Sequence, residues 1–271
     1  MIMADVGTIL LLGGGNMGTA LLGGWLESGL RPESVLVVDP TVGDALRPLL
    51  ARGVRHAEAI PAETFDIAVL AVKPQMMDAA LPPLKNALKP QSLAISIAAG
   101  TTVGLIERHL GERPVVRAMP NTPALIGRGI TGAYANTRVA DEGRGTADQL
   151  LSASGPVEWV ETEALIDAVT GVSGSGPAYV FYLAECLAKA GEAAGLPAHL
   201  AMRLARHTVA GAGELMIRSE ETPAKLRKNV TSPNGTTQAA LDVLMAEDGL
   251  APLMSRAVAA ARDRAEELAK G

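Results

Sequence analysis

The chain has 271 residues, 48% of them hydrophobic, a formal charge of -5 and one cysteine. That length holds two modest domains with a substantial core, while mild acidity leaves no footprint for nucleic acid and no Lys/Arg run for a membrane surface. The start, MIMADVGTILLLGGG, lacks a basic n-region and closes on glycines, unlike a signal peptide, and no apolar run reaches the ~18 residues that span a bilayer. A cytoplasmic protein without membrane or nucleic-acid partners is expected. Cys186 has no partner for a disulfide or a thiolate cluster and falls in the apolar helical pattern AYVFYLAECLAKA, the setting of an inert core thiol, and no metal is expected.

Up to about residue 160, short β-rich runs alternate with helical stretches. TILLL (8–12) leads into a helix from Asn16 to about Ser28, and SVLVVD (34–39) into one near 43–52. DIAVLAV (66–72) precedes PQMMDAALPPLKNAL, where Pro82 and Pro83 predict two short helices. SLAISIA (92–98) leads to TTVGLIERHL, with Thr101 or Thr102 as its N-cap, and PVVRAM (114–119) follows. This cadence predicts an α/β domain, a Rossmann-type, mostly parallel sheet with helices on both faces. After PVEWV (156–160) the strands stop. Residues 175–194, 197–217, 222–230, 236–246 and 249–269 read as helices, with Pro177, Pro197 and Pro223 near their starts. With only 3% aromatic residues, close helix packing is expected to build this second half. The division is placed at 1–164, a dinucleotide-binding domain, and 165–271, a helical domain.

GGGNMG supplies the first functional motif. Gly13 suits a tight turn, Gly15 a close backbone approach to a pyrophosphate, and Gly18 close packing, with Asn16 and Met17 opening the helix whose amides meet the anion. Asp39 ends the second strand about twenty residues on, where an acid accepts from an adenosine ribose; capping the following turn is its other reading. Ala71, Val72, Lys73 and Pro74 fall at the carboxyl end of a later strand, where such sheets bind ligands, though Lys73 also reads as a solvated lysine. Ala98 and Ala99 end another strand with small side chains that either admit a nicotinamide or pack a loop. Asn121 and Thr122, in MPNTP, follow a strand end and are expected to position the nicotinamide ring, Asn121 as a cofactor-binding residue. Ser173 and Ser175 either face the nicotinamide amide, or the glycines beside them let a helix approach closely.

Taken in order, GGGNMG, AVKP, SIAAG, RAMPNTPALIGRG (117–129), DAVTGVSGSGPAYVF (167–181) and NVTSPNGTT (229–237) resemble pyrroline-5-carboxylate reductases over nearly the whole chain. The resemblance implies a C-terminal all-α domain that dimerises, a homodimer or higher oligomer of dimers, and reduction of 1-pyrroline-5-carboxylate to L-proline by NADPH or NADH. It also implies that Thr237 contacts the substrate. Asn234 stands where most members have glycine, and Asp39 where many carry a small hydroxyl residue. A carboxylate at position 39 predicts that NADH serves at least as well as NADPH.

The polar hinge in the helical half then acquires a purpose. A cyclic imine with a carboxylate needs an anion site and a partner for the ring nitrogen. Ser232, Asn234, Gly235 and Thr236, with free amides at 234–236 opening the helix QAALDVLM, are expected to bind the carboxylate, and Thr237 the nitrogen. Glu220 reads as a candidate for stabilising the cation through water, or as a solvated carboxylate. Two other readings stay open: a β-hydroxyacid dehydrogenase, for which Lys189 is the only lysine on the first long helix of the second half, and a dinucleotide-binding regulator without catalysis.

Overall fold

The computed structural model describes residues 6–270, with the side chain of Lys270 set aside. Residues 1–5, where the stretch read as no signal peptide begins, and residue 271 lie outside it.

The elements run β1 (Ile9–Leu12), α1 (Asn16–Glu27), β2 (Val35–Val38), α2 (Arg47–Leu50), β3 (Arg55–Ala57), β4 (Phe65–Leu70), α3 (Met77–Leu84), β5 (Leu88–Ser96), α4 (Val103–Leu110), β6 (Val115–Met119), β7 (Thr131–Ala135), α5 (Asp141–Leu151), β8 (Val157–Trp159) and α6 (Leu165–Val169). A π-helical turn, Thr170–Gly174, follows. Then come α7 (Gly176–Ala193), α8 (Ala198–Arg218), α9 (Pro223–Asn229), α10 (Thr236–Leu244) and α11 (Leu250–Lys270).

The strands form one sheet in the order β3-β2-β1-β4-β5-β6-β7-β8, parallel from β3 to β6, with β7 antiparallel to β6 and β8 parallel to β7. The central strands are continuously apolar because both faces are covered: Ile9, Leu11, Val35, Val37, Ile67 and Val69 enter one core, and Leu10, Leu12, Leu36, Val38, Ala68 and Leu70 the other. The loops after β1, β2, β3 and β4 therefore gather at one carboxyl edge, where open parallel sheets bind ligands.

Several elements depart from the sequence reading. Pro82 and Pro83 do not separate two helices but lie inside α3, because the buried Met77, Leu81 and Leu84 anchor that helix and outweigh the lost N–H donors. The strands β3 and β7 and the helices α5 and α6 are additional to those expected. Thr102 is the residue that caps α4, accepting from the Leu105 amide at 3.1 Å.

Packing divides the chain into two compact units. One runs to Gly174 and takes in the chain's end from Ala260; the other is Ser175–Ala259. This differs from the expected division at 164/165 because α6 is tied to the sheet. Arg117 on β6 is 2% exposed and pairs with Asp167 at 2.6 Å and Glu163 at 3.3 Å, while Gly132 leaves room on β7 for Val169. At the other end, Ala265 is buried, and a Cβ on Gly100 would lie 2.9 Å from that of Leu268.

Within the helical unit α7 and α8 form a hairpin in which Gly191 brings the backbone against Ala201. Cys186 is exposed on α7, not the core thiol expected, because the apolar face carrying it is left uncovered within its own unit. Among the described residues, no helix is long and apolar enough to cross a membrane.

Candidate active site

The glycine loop is held by the sheet on one side and left open on the other. Gly13 has φ +106, and a Cβ there would lie 2.9 Å from the carbonyl carbon and oxygen of Ala71. A Cβ on Gly18 would lie 2.3 Å from the Gly13 oxygen, so only glycine lets α1 approach the turn this closely. Gly15 differs: nothing lies within 4 Å of where its Cβ would stand. It precedes α1 with no side chain capping that helix, and Asn16 beside it is exposed. The open space over an uncapped helix N-terminus fits a dinucleotide pyrophosphate. Met17 packs its side chain on the core.

Beside the loop lies a cavity of about 480 Å³ whose walls include Gly13, Gly15, Asp39, Ala71, Val72 and Lys73. Pro74 lies outside it and opens a 3-10 turn instead. Thr41, Glu58 and Ile60 also line the cavity and lie outside the expected site, Glu58 because the strand leading to it, Arg55–Ala57, carries no apolar run. Asp39 caps the turn that follows it, as one of its two readings expects. Its Oδ2 accepts from the Gly14 amide at 2.8 Å and its Oδ1 from the Thr41 amide and hydroxyl at 2.9 and 3.1 Å, while the residue still borders the cavity.

Further along the edge the small residues are used for packing. Ala98 is buried in the core and Ala99 is half-buried. The side-chain oxygen of Asn121 accepts from the Ile130 amide at 3.0 Å, and its carbonyl from Ala124, so this residue braces the loop after β6. The Ser173 hydroxyl donates to the Val169 carbonyl, and a Cβ on Gly174 would lie 2.6 Å from Met119 Cε, which favours the close-approach reading of those glycines. Ser175 is half-buried at the start of α7, and its hydroxyl makes no cap bond.

In the helical unit, the polar hinge is a tight turn between α9 and α10. Asn234 takes φ 58 and is the only non-glycine residue in that region among those described. Asparagine tolerates this conformation where most side chains do not. Gly235 sits so close to Ser232 that a Cβ would lie 2.3 Å from its hydroxyl oxygen. The Gly235 amide donates to the Ser232 carbonyl at 3.0 Å, so this group, expected to be free for a substrate, is occupied by the turn itself. Gly235 is the N-cap of α10, no side chain caps the helix, and Thr236 and Thr237 are its first two residues, Thr237 half-buried. Glu220 is exposed in the loop between α8 and α9. A second cavity of about 660 Å³, absent from the sequence reading, is lined by Lys225, Arg227, Lys228, Thr231, Pro233 and Gln238.

A family model described as pyrroline-5-carboxylate reductase dimerisation matches residues 163–268, and one described as NADP oxidoreductase, coenzyme F420-dependent, matches residues 8–100. Over 265 residues, 97% of each chain, the protein is 44% identical to a pyrroline-5-carboxylate reductase of Pseudomonas aeruginosa. The chain belongs to the pyrroline-5-carboxylate reductase family. A solved structure of the reductase from Coxiella burnetii matches with a TM-score of 0.90 at 37% identity, covering 98% of this chain and 99% of that one. The structure from Plasmodium falciparum, with NADP bound, matches with a TM-score of 0.82 at 27% identity over 98% and 99%. The enzyme is thus an NAD(P)H-dependent oxidoreductase that reduces 1-pyrroline-5-carboxylate to L-proline, the final step of proline biosynthesis, and it carries the family's dimerisation module. The hydroxyacid dehydrogenase and regulator readings fall away.

Proposed function

We propose that the open first turn of α10 holds the substrate carboxylate and that the Thr237 hydroxyl hydrogen-bonds the pyrroline nitrogen. The observation that carries this reading is the left-handed Asn234. It turns the chain so that α10 begins at Gly235 without a side-chain cap, leaving the amides of Thr236, Thr237 and Gln238 without intrahelical partners. Such amides, aided by the helix dipole, bind a carboxylate without arginine. A threonine hydroxyl is too weak an acid to protonate an imine, so the substrate binds already protonated and the Thr237 oxygen accepts from its N–H. Glu220 is left as a solvated carboxylate. The nicotinamide, when bound, supplies the hydride, and the protein's task is orientation and electrostatics.

The dinucleotide rests on the α1 N-terminus, with Gly15 and Asn16 at its pyrophosphate and the backbone of Ala71, Val72 and Lys73 along its length. NADH serves at least as well as NADPH, because a carboxylate stands at the ribose end while Arg47 and Arg52, which follow it in the chain, are paired with Asp44 and Glu27. The working enzyme is a homodimer or an assembly of dimers.

Thr237→Val tests the substrate site. Losing a hydrogen bond to a charged group lowers kcat/KM by about 1.5 to 3 kcal/mol in transition-state stabilisation. Dinucleotide affinity is expected to change far less. An unchanged kcat/KM for pyrroline-5-carboxylate would refute the assigned role.

A further inference from the structure

We infer that Glu58, at the end of β3, is a second determinant of dinucleotide choice, and that its carboxylate discriminates against a 2′-phosphate more directly than that of Asp39. This rests on the reading that the dinucleotide's adenosine end occupies the 480 Å³ cavity. β2 and β3 are parallel and in register, with Val38 opposite Ala57 and the Asp39 amide donating to the Ala57 carbonyl at 3.1 Å. Asp39 and Glu58 are the next residues of each strand, so they leave the sheet side by side, on strands about 4.8 Å apart. Both line the same cavity.

The two carboxylates are differently committed. Both oxygens of Asp39 are engaged, by Gly14 and by Thr41, so much of its charge goes into holding the glycine loop and its own turn. Glu58 makes no hydrogen bond or ion pair among the described residues, and its side chain is exposed, free to accept from a ribose hydroxyl or to repel a phosphate. Nearby cations do not offset it. Arg55 is paired with Glu63, Arg47 with Asp44 and Arg52 with Glu27. His56 is held with Nε2 2.9 Å from the Asp39 carbonyl. Among the described residues, Lys73 is the only cationic one lining the cavity, and it belongs to the loop after β4, two strands from β2 in the sheet. A 2′-phosphate would therefore meet two adjacent carboxylates, one of them with no competing partner.

The experiment compares kcat/KM for NADH and NADPH, and Kd for NAD and NADP, in the native enzyme, Glu58→Gln, Glu58→Lys and Asp39→Ser. Glu58→Gln is expected to move both ratios toward the phosphorylated dinucleotide by about threefold to tenfold, the range open to a partly solvated charge, and Glu58→Lys further. Added salt should relieve the native discrimination and relieve it less in Glu58→Gln, a response that loss of packing would not give. Asp39→Ser should weaken both dinucleotides, since it also releases the Gly14 amide. Ratios unmoved in both Glu58 variants, or an equal fall for both dinucleotides, would overturn the inference. A native preference for NADPH that Glu58→Gln still strengthens would uphold the role of Glu58 while sinking the proposed NADH preference, so the two failures are distinguishable.

Discussion

The sheet-bearing unit and the helical unit solve the burial problem in opposite ways. The first encloses two apolar cores, one on each face of the sheet, with large side chains such as Trp25, Phe65 and Leu21 fully buried. In the second, residues 175–259, the buried apolar side chains among those described are Ala188, Ala201 and Ala205, while Phe181 is 62% exposed, Val243 71% and Ile217 77%. Three alanines do not stabilise five helices. Such a surface is a core cut in half, the composition of an obligate interface. The difference teaches that one unit buries a core of its own within the chain, whereas the other leaves its apolar faces uncovered in the single chain, in keeping with the dimerisation family model it matches.

The largest expected effect breaks that contrast directly. Leu183 and Leu187 lie one turn apart on α7 and are both exposed in the single chain. Replacing both with aspartate removes about 3 kcal/mol or more of apolar burial and adds desolvation of charge, so association should weaken more than a hundredfold. Sedimentation should show monomers at micromolar concentration with reductase activity lost, whereas the wild type stays oligomeric. A wild-type chain that is stable and active as a monomer would undo the comparison.

A second prediction concerns the device that fastens α6 to the sheet. Asp167→Ala leaves the Arg117 guanidinium buried beside only Glu163, with its Nε already lacking a hydrogen-bond partner. Removing one member of a buried pair costs about 3 to 5 kcal/mol. Urea denaturation at a concentration where the dimer is fully formed should show that loss, and the double variant Arg117→Met with Asp167→Ala should recover part of it. Equal destabilisation in the single and double variants would show that the stranded charge is not the cause.

Which parts of this contrast were legible in the sequence follows from the physics of each part. The glycine loop was readable because Gly13 and Gly18 answer local demands, a left-handed turn and a backbone approach, that no other residue meets. The helices of the second half were readable from their periodicity. Their exposure was not: a repeat of apolar residues marks a face without saying what covers it, and Cys186 was misplaced for that reason. β3 was missed because Arg55, His56 and Ala57 form no apolar run; it exists by pairing with β2 at the sheet's edge, and missing it concealed Glu58. In the substrate turn, the spacing of hydroxyls and glycine was visible, but not that the Gly235 amide is already bonded to Ser232. Hydrogen bonds inside a turn depend on dihedral angles that a sequence does not print.

The smallest effect sharpens the comparison by separating the two kinds of stability. At the edge of the sheet where β4 begins, Asp66 accepts from Lys89 at 2.6 Å and from the Thr8 amide and hydroxyl at 3.0 and 2.8 Å. The Lys89 bond foremost, then the Thr8 amide, holds its carboxyl down from 3.8 to about 2. A carboxyl depressed in the folded state contributes stability that is present above its unfolded pKa and is lost as pH falls through the folded one, so the window runs from about pH 4 to about pH 2. Because the side chain is 42% exposed, solvent screening limits the contribution to about 1 kcal/mol or less. Asp66→Asn should therefore lower stability by that amount at pH 7, with the gap from wild type narrowing as pH falls below 4. The gap should not depend on protein concentration above the dimer threshold, since it belongs to the unit that folds around its own core. Urea midpoints at pH 7, 5, 4 and 3, each at two protein concentrations, provide the check. A gap that persists unchanged to pH 3 would remove Asp66 as its source, and one that grows with dilution would place its effect in the assembly instead of in the sheet.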